Sequence, residues 1–371
     1  MRATPAPARF SGWRGALAIS MVVLVAALLL FAAAEGAVRL RQWLRHGAVS
    51  SFDSLYVVDP VSGLRLPRAN SKLGAVSINS KGFRGPELVL PKPAKRVRIA
   101  FVGASTTYCA EVSSDAAVWT QGVTDLLQRE FPQVSFDFIN AGVPGYSVRS
   151  STKHFDQYVQ ALQADAVMIY HGTNDMSAEL RALAEAKGLW SRNGDVQSWL
   201  ARQSLLVDLV EKNLRVRAAG QQIDVGAQRL AFDPRQIGQG FDADLRELIA
   251  HASARQTHVS IATFSARLRR EQDAAARKAA AVSALVYMPF MSLDGLLDAY
   301  ERYNEVIRGV AAATHSLLID DEHRIPGDAT HFVDSVHFSD QGSAAMAHRV
   351  AKALARDPAF RALVARRATA P

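Results

Sequence analysis

A single cysteine, Cys109, occurs among the 371 residues. No intramolecular disulfide can form, so a disulfide-stapled scaffold is excluded, and so is a cysteine-rich zinc site. Internal repeats are absent as well. No segment interleaves basic residues with aromatics, which argues against nucleic-acid binding in spite of a formal charge of +8. Arginine carries much of that charge, at the N-terminus, after the first apolar run, at Arg267 to Lys278 and at Arg366-Arg367. We read it as a solvated surface with membrane-flanking arginines. Attraction to anionic lipid or to an acidic polysaccharide is the alternative. Charged residues at 21 % and apolar ones at 49 % exclude wholesale disorder and allow a substantial core. The length suits one large α/β domain plus an anchor, or two small domains.

What is present begins with a long apolar run. Gly15 to Ala34 carries no charge. At about 1.5 Å rise per residue it spans about 30 Å as a helix, the thickness of a bilayer core. Arg2, Arg9 and Arg14 precede it, and Trp13 stands where an interfacial aromatic would lie. Three readings compete. A signal anchor is favoured, because the run is longer than the core of a typical signal peptide. A cleaved signal peptide is the second reading, with Ala32-Ala33-Ala34 as the small residues a peptidase needs. A buried core helix fits least, because the run has no polar face. Arg39, Arg41 and Arg45 follow, offset in part by Glu35, so the flanking charges nearly balance. A short N-terminus before a single span places the rest of the chain outside the cytoplasmic membrane.

The expected division is a tail over 1–14, an anchor over 15–34, and a membrane-proximal helix, linker and β-rich prelude over 35–96. An α/β core follows over 97–356, with a helical insertion at about 176–240, and then a C-terminal tail over 357–371. Gly47 to Ser54 is the linker, and Pro60, Pro67, Pro86, Pro91 and Pro93 keep the prelude's elements short. From residue 97 strands and helices alternate, the pattern of a parallel sheet covered on both faces. Strands are expected at Val97–Val102, Val134–Asn140, Ala166–Tyr170, His258–Phe264 and Leu317–Ile319. Helices are expected at Trp119–Phe131, Arg149–Gln163, Gln197–Val216, Asp242–Ala254, Leu293–Thr314 and from Ser339 to Arg356. Residues 266–282 read as a surface helix, and Leu285 to Met288 as a short strand or a loop. The fold class is α/β, three layers with a central parallel sheet.

Two short segments carry the chemistry. Arg98 to Gly103 reads as a buried strand that runs into Ala104-Ser105. A serine hydroxyl is a poor nucleophile unless a base takes its proton. Far along the chain, Asp334-Ser335-Val336-His337 puts a carboxylate three residues before a histidine. His337 has the chemistry of that base, and Asp334 can hold its tautomer from the same turn of chain. Between them, Asn140 to Gly145 and Gly172-Thr173-Asn174-Asp175 follow strands and can offer donors to an oxyanion. Each segment alone has a bland reading: a helix cap, a surface loop, an ordinary turn.

In combination and in this order the segments resemble the SGNH (GDSL-type) hydrolase superfamily over residues 97 to 356. The resemblance implies a flavodoxin-like fold and a serine nucleophile at Ser105. It implies an oxyanion hole of Ser105, Gly145 and Asn174, and His337 as base with Asp334 as its partner. Ala104 stands where the family has an acid, which leaves the family's four Ser, Gly, Asn and His positions intact but weakens assignment to a subfamily. Ile78 to Gly85 resembles the segment before the core in membrane-anchored bacterial members. The implied activity is hydrolysis of O-acyl esters on an envelope or extracellular glycan, with no cofactor and no metal. A lipid ester, or acyl transfer to a sugar hydroxyl, is the alternative within this class. A non-catalytic, membrane-anchored protein that binds a glycan or a partner is the alternative outside it.

Other residues compete for notice. Cys109 lies near Ser105 and is a second nucleophile candidate, or a small buried apolar residue. His331, Asp334 and His337 have a spacing that can hold a metal. His171 reads as structural or as flanking the substrate. Trp190 and Trp199 read as packing residues, with a sugar platform or lid as the other possibility.

Overall fold

The computed structural model describes residues 12–46, 52–191, 198–222, 229–254 and 256–370. Most of the expected tail, and residues 47–51 of the expected linker, lie outside them. The described residues form two compact units, one from 12–46 and 198–213 and the other from 52–191, 214–222, 229–254 and 256–370.

In the first unit helix α1 (Trp13–His46) runs unbroken through the apolar segment. Leucine, alanine and valine fill it, and no proline interrupts it. Its stretch Gly15–Leu44 is long and apolar enough to cross a membrane, and no part of its most apolar window is buried. That sets aside the reading as a core helix.

The second unit opens with the prelude. Strands β1 (Tyr56–Val58) and β2 (Arg65–Pro67) pair antiparallel, as do β3 (Lys72–Leu73) and β4 (Val76–Ser77). Then comes β5 (Arg96–Gly103), buried from Val97 onward. A strand covered on both faces needs a continuous apolar run, which Ile99 to Val102 supplies. Arg98 breaks the run yet is fully buried. Its guanidinium donates to Asp137 on the neighbouring strand at 2.7 and 2.8 Å and to the carbonyls of Leu162 and Val89. A short helix α2 (Ser105–Tyr108) follows, then α3 (Trp119–Glu130) and β6 (Ser135–Asn140). The helix expected over 149–163 is α4 (Val148–His154), which widens to a π turn at Phe155–Val159 and tightens at Gln160–Leu162. Next are β7 (Ala166–Tyr170) and α5 (Thr173–Ala186).

The single helix expected at Gln197–Val216 is two: α6 (Trp199–Gln203) and α7 (Leu205–Gln222). They part at Ser204, whose backbone is extended. Glu35 on α1 caps the second of them. Its carboxylate accepts the Ser204 hydroxyl at 2.8 Å and the Leu205 and Leu206 N–H groups at 3.2 and 2.9 Å. A carboxylate at orphan N–H groups is a stabilising cap.

The chain continues through α8 (Gln239–Ser253), β8 (His258–Ala262), α9 (Ala274–Tyr287), α10 (Leu293–Thr314), β9 (Leu317–Ile319), α11 (Asp340–Arg356) and α12 (Pro358–Ala368). Two expectations are corrected here. Leu285 to Met288 is neither strand nor loop over most of its length but the end of α9, because Ala280, Ala281, Ala284 and Leu285 form one buried helical face. Of the expected tail, the described residues 357–370 are not a simple tail. Asp357 caps α12, accepting the Phe360 N–H at 2.8 Å, and Phe360, Leu363 and Val364 are buried.

Five parallel strands make one sheet in the order β6-β5-β7-β8-β9. Counted along the chain this is the flavodoxin-like order 2-1-3-4-5, and ligands bind where that order reverses, outside the carboxyl ends of the strands. The reversal lies between β5 and β7. Helices α3, α11 and α12 pack together, and α4, α8 and α10 pack together, giving the expected three layers.

Candidate active site

Ser105 sits at the carboxyl end of β5 as the first residue of α2. A four-residue helix has no stability of its own. Outside donors hold its carbonyls. The buried Trp119 indole donates to Thr106 at 3.0 Å, and the Asn140 amide donates to Thr107 at 2.9 Å. Arg84 of the prelude, itself buried, donates to the carbonyls of Tyr108 at 2.9 Å and Cys109 at 2.5 Å. The same guanidinium reaches Asp115 at 2.8 Å and the Ala75 carbonyl at 3.0 Å. Ser105 is thereby fixed to the prelude, to α3 and to the end of β6.

His337 lies in a tight loop closed by a bridge between Phe332 and Phe338, with the Val333 N–H donating to the His337 carbonyl at 2.9 Å. Asp334 shapes the loop from inside. Its Oδ1 accepts the Val336 and His337 N–H groups, each at 2.8 Å, and its Oδ2 lies 2.7 Å from His337 Nδ1. An ionised carboxylate only accepts, so Nδ1 carries the proton and Nε2 of the neutral ring is an acceptor. Ser105 Oγ lies 2.8 Å from that Nε2. Serine, histidine and aspartate thus form one unbroken chain of hydrogen bonds. Ser339 ends the loop by capping α11, accepting the Gly342 N–H at 3.2 Å.

Charge is distributed to match. Burial alone lifts the Asp334 carboxyl, but the His337 hydrogen bond and charge and two backbone donors outweigh it and hold it below the usual range. Burial alone disfavours the His337 imidazolium, but the Asp334 bond and the charges of Glu111 and Asp334 outweigh it and raise it above its usual value. Glu111, which the sequence did not single out, places Oε1 3.9 Å from His337 Nε2, with a side chain 29 % accessible. Loss of part of its hydration pushes its carboxyl upward, against the pull of His337. Its only signal in the sequence is its nearness to Ser105.

The two remaining segments are laced together. Val143, Pro144, Gly145 and Tyr146 form a turn closed by the Tyr146 N–H on the Val143 carbonyl at 3.2 Å. Proline second and a glycine at φ +88° third are the type II pattern. Gly142 is required for another reason: a Cβ there would lie 2.5 Å from the Tyr108 nitrogen. Asn140 ties this turn to the serine segment, since its Oδ1 accepts the Gly142 N–H at 3.0 Å while its amide holds Thr107. At the start of α5, after β7, one Asn174 amide N–H donates to the Tyr146 carbonyl at 2.9 Å, which fixes the amide plane and leaves a second N–H. Asp175 accepts the Val148 N–H at 3.0 Å, and burial pushes its carboxyl up to about 7. Gly145 and Asn174 therefore sit on neighbouring, mutually bonded segments at the sheet's carboxyl end.

The competing residues resolve as follows. Cys109 is 1 % exposed, and burial pushes its thiol up to about 12, so it is a packing residue. His331 turns away from the Asp334–His337 pair to Asp328, at 2.8 Å. Among the described residues no group of three or more His, Cys, Asp or Glu side chains is arranged to hold a metal. His171 is buried against Ser151 Oγ at 2.9 Å, and burial lowers it to about 3. Trp190 packs edge-on against Phe290, while Trp199 is 66 % exposed.

Solved structures with similar coordinates include a lipase/acylhydrolase from Enterococcus faecalis, at 16 % identity and a TM-score of 0.42, covering 70 % of this chain and 95 % of that one. An acetylxylan esterase from Geobacillus stearothermophilus is similar at 17 % identity and a TM-score of 0.42, covering 69 % and 93 %. No curated protein sequence matches the chain. The model of the GDSL-like lipase/acylhydrolase family matches residues 101–345, from within β5 to within α11. That match takes in well over half of the sequence and both ends of the serine–histidine pair, so the chain belongs to the GDSL-like lipase/acylhydrolase family and is a serine hydrolase of the SGNH type.

Proposed function

We propose that this hydrolase cleaves O-acyl esters of an envelope glycan through an acyl-enzyme on Ser105. The observation that carries the reading is the hydrogen-bond chain from Asp334 through His337 to Ser105. His337 Nε2 takes the Ser105 proton as Oγ attacks the ester carbonyl. The oxyanion is met by the backbone N–H groups of Ser105 and Gly145 and by the free amide N–H of Asn174. His337 then gives its proton to the leaving alcohol, and the carbonyl re-forms as the acyl-enzyme. Water enters by the same route in reverse and releases the acid. Asp334 keeps Nδ1 protonated and stabilises the imidazolium. The apolar α1 serves as a signal anchor that holds the catalytic core, residues 97–356, outside the cytoplasmic membrane, where acylated polysaccharide is found.

A fluorophosphonate probe followed by intact-protein mass spectrometry tests the reading on the full chain in detergent. One adduct is expected, mapped to Ser105 and absent from Ser105→Ala. In His337→Ala labelling is expected to slow by about a hundredfold or more. Folded wild-type protein that takes up no probe would overturn the proposal in favour of a binding protein.

A further inference from the structure

We infer that Glu111 lines the alcohol side of the site and recognises a hydroxyl beside the ester oxygen, so that the carrier is a neutral, polyhydroxylated alcohol and not an anionic headgroup. The inference rests on the Ser105–His337 reading above. In that reaction the alcohol oxygen must come within hydrogen-bond reach of His337 Nε2, the atom that gives it a proton. Glu111 Oε1 stands 3.9 Å from the same nitrogen, too far to bond to it and close enough to meet whatever does. A hydroxyl on the carbon next to the ester carbon falls in that interval.

The carboxylate is free to take such a hydroxyl. Among the described residues its side chain makes no hydrogen bond to another residue, and it is 29 % accessible. Ionised, it only accepts, which suits an alcohol and rejects a second anion. Phosphate or carboxylate on the carrier would set like charges side by side in a partly desolvated place. Glu111 also favours the imidazolium of His337. That effect alone would change every ester by the same factor, so a ratio between esters separates the two roles.

The experiment compares three acetates with one acyl group: 1-acetylglycerol, ethyl acetate and 1-acetylglycerol 3-phosphate. Values of kcat/KM are measured for the full chain in neutral detergent, for Glu111→Ala, Glu111→Gln and Ser105→Ala. Wild type is expected to prefer 1-acetylglycerol to both others. Glu111→Ala is expected to cut the preference over ethyl acetate by about tenfold, the worth of a hydrogen bond to a charged group. Glu111→Gln keeps an acceptor, so it should retain part of that preference while losing most of the discrimination against the phosphate. Equal losses on all three esters in Glu111→Ala, or no wild-type preference, would overturn the inference and leave the triad standing. Hydrolysis that survives in Ser105→Ala would overturn the triad reading and the Glu111 inference with it.

Discussion

At the scale of residues, the proton on His337 is governed by two carboxylates. Asp334 bonds to Nδ1, and Glu111 lies near Nε2. Both favour the charged ring, and His337 must be neutral to act as the base proposed above. Activity should therefore rise with pH through a His337 pKa above the ordinary 6.5. Removing one anion lowers that pKa, so the acid limb of kcat/KM in Glu111→Gln should move to lower pH. A pH–rate profile of the two proteins across the neutral range checks the direction. Asp334→Asn keeps an acceptor for the two loop N–H groups but loses the charge and invites the wrong tautomer. We expect it to fold and to lose at least about a hundredfold in kcat. The meeting of Ser105, Asp334 and His337 was legible because each sits at a strand end or at a telling spacing. Glu111 was not, since a lone carboxylate in a loop has no periodicity and its partner lies far along the chain.

Elements show where reading a sequence succeeds and where it stops. The helix Leu293–Thr314 and the strands Ala166–Tyr170 and Leu317–Ile319 occur with the bounds their patterns imply. Each has a buried face of the right period or a short apolar run between clear breaks. The run Leu285 to Met288 has no period of its own, and its helical nature shows only once Ala280, Ala281 and Ala284 are counted with it. The C-terminal helix did leave a signal, Asp357 before Pro358, a cap followed by a proline at the first helical position. Phe360 on that helix is fully buried, so Phe360→Ala should cost about 3–5 kcal/mol in urea unfolding. The prelude was legible as short β pieces, but not the reach of Arg84 into α2. Arg84→Met should cost about 2–4 kcal/mol, because it strips donors from buried carbonyls and from Asp115. Labelling of Ser105 by a fluorophosphonate, measured well below the melting temperature, should slow in the same variant.

Over the whole molecule, α1 gives a further expectation. The chain should partition with detergent or membranes. A chain beginning at residue 52 should move to the aqueous phase, and phase separation followed by activity assay of each fraction checks this. Glu35 adds a condition, because it caps α7 from α1, and removing α1 leaves the Leu205 and Leu206 N–H groups to water. Hydrogen exchange at those two amides should accelerate in the shortened chain.

The hydrogen bond between His337 and Ser105 joins residues 232 positions apart. Bringing two such points together costs loop entropy that nothing local repays, and parallel strands fold slowly for the same reason. Helices can therefore re-form while Ser105 and His337 are still strangers. On refolding from denaturant, far-ultraviolet circular dichroism should recover before ester hydrolysis, and the return of activity should report that the last strands have joined the sheet.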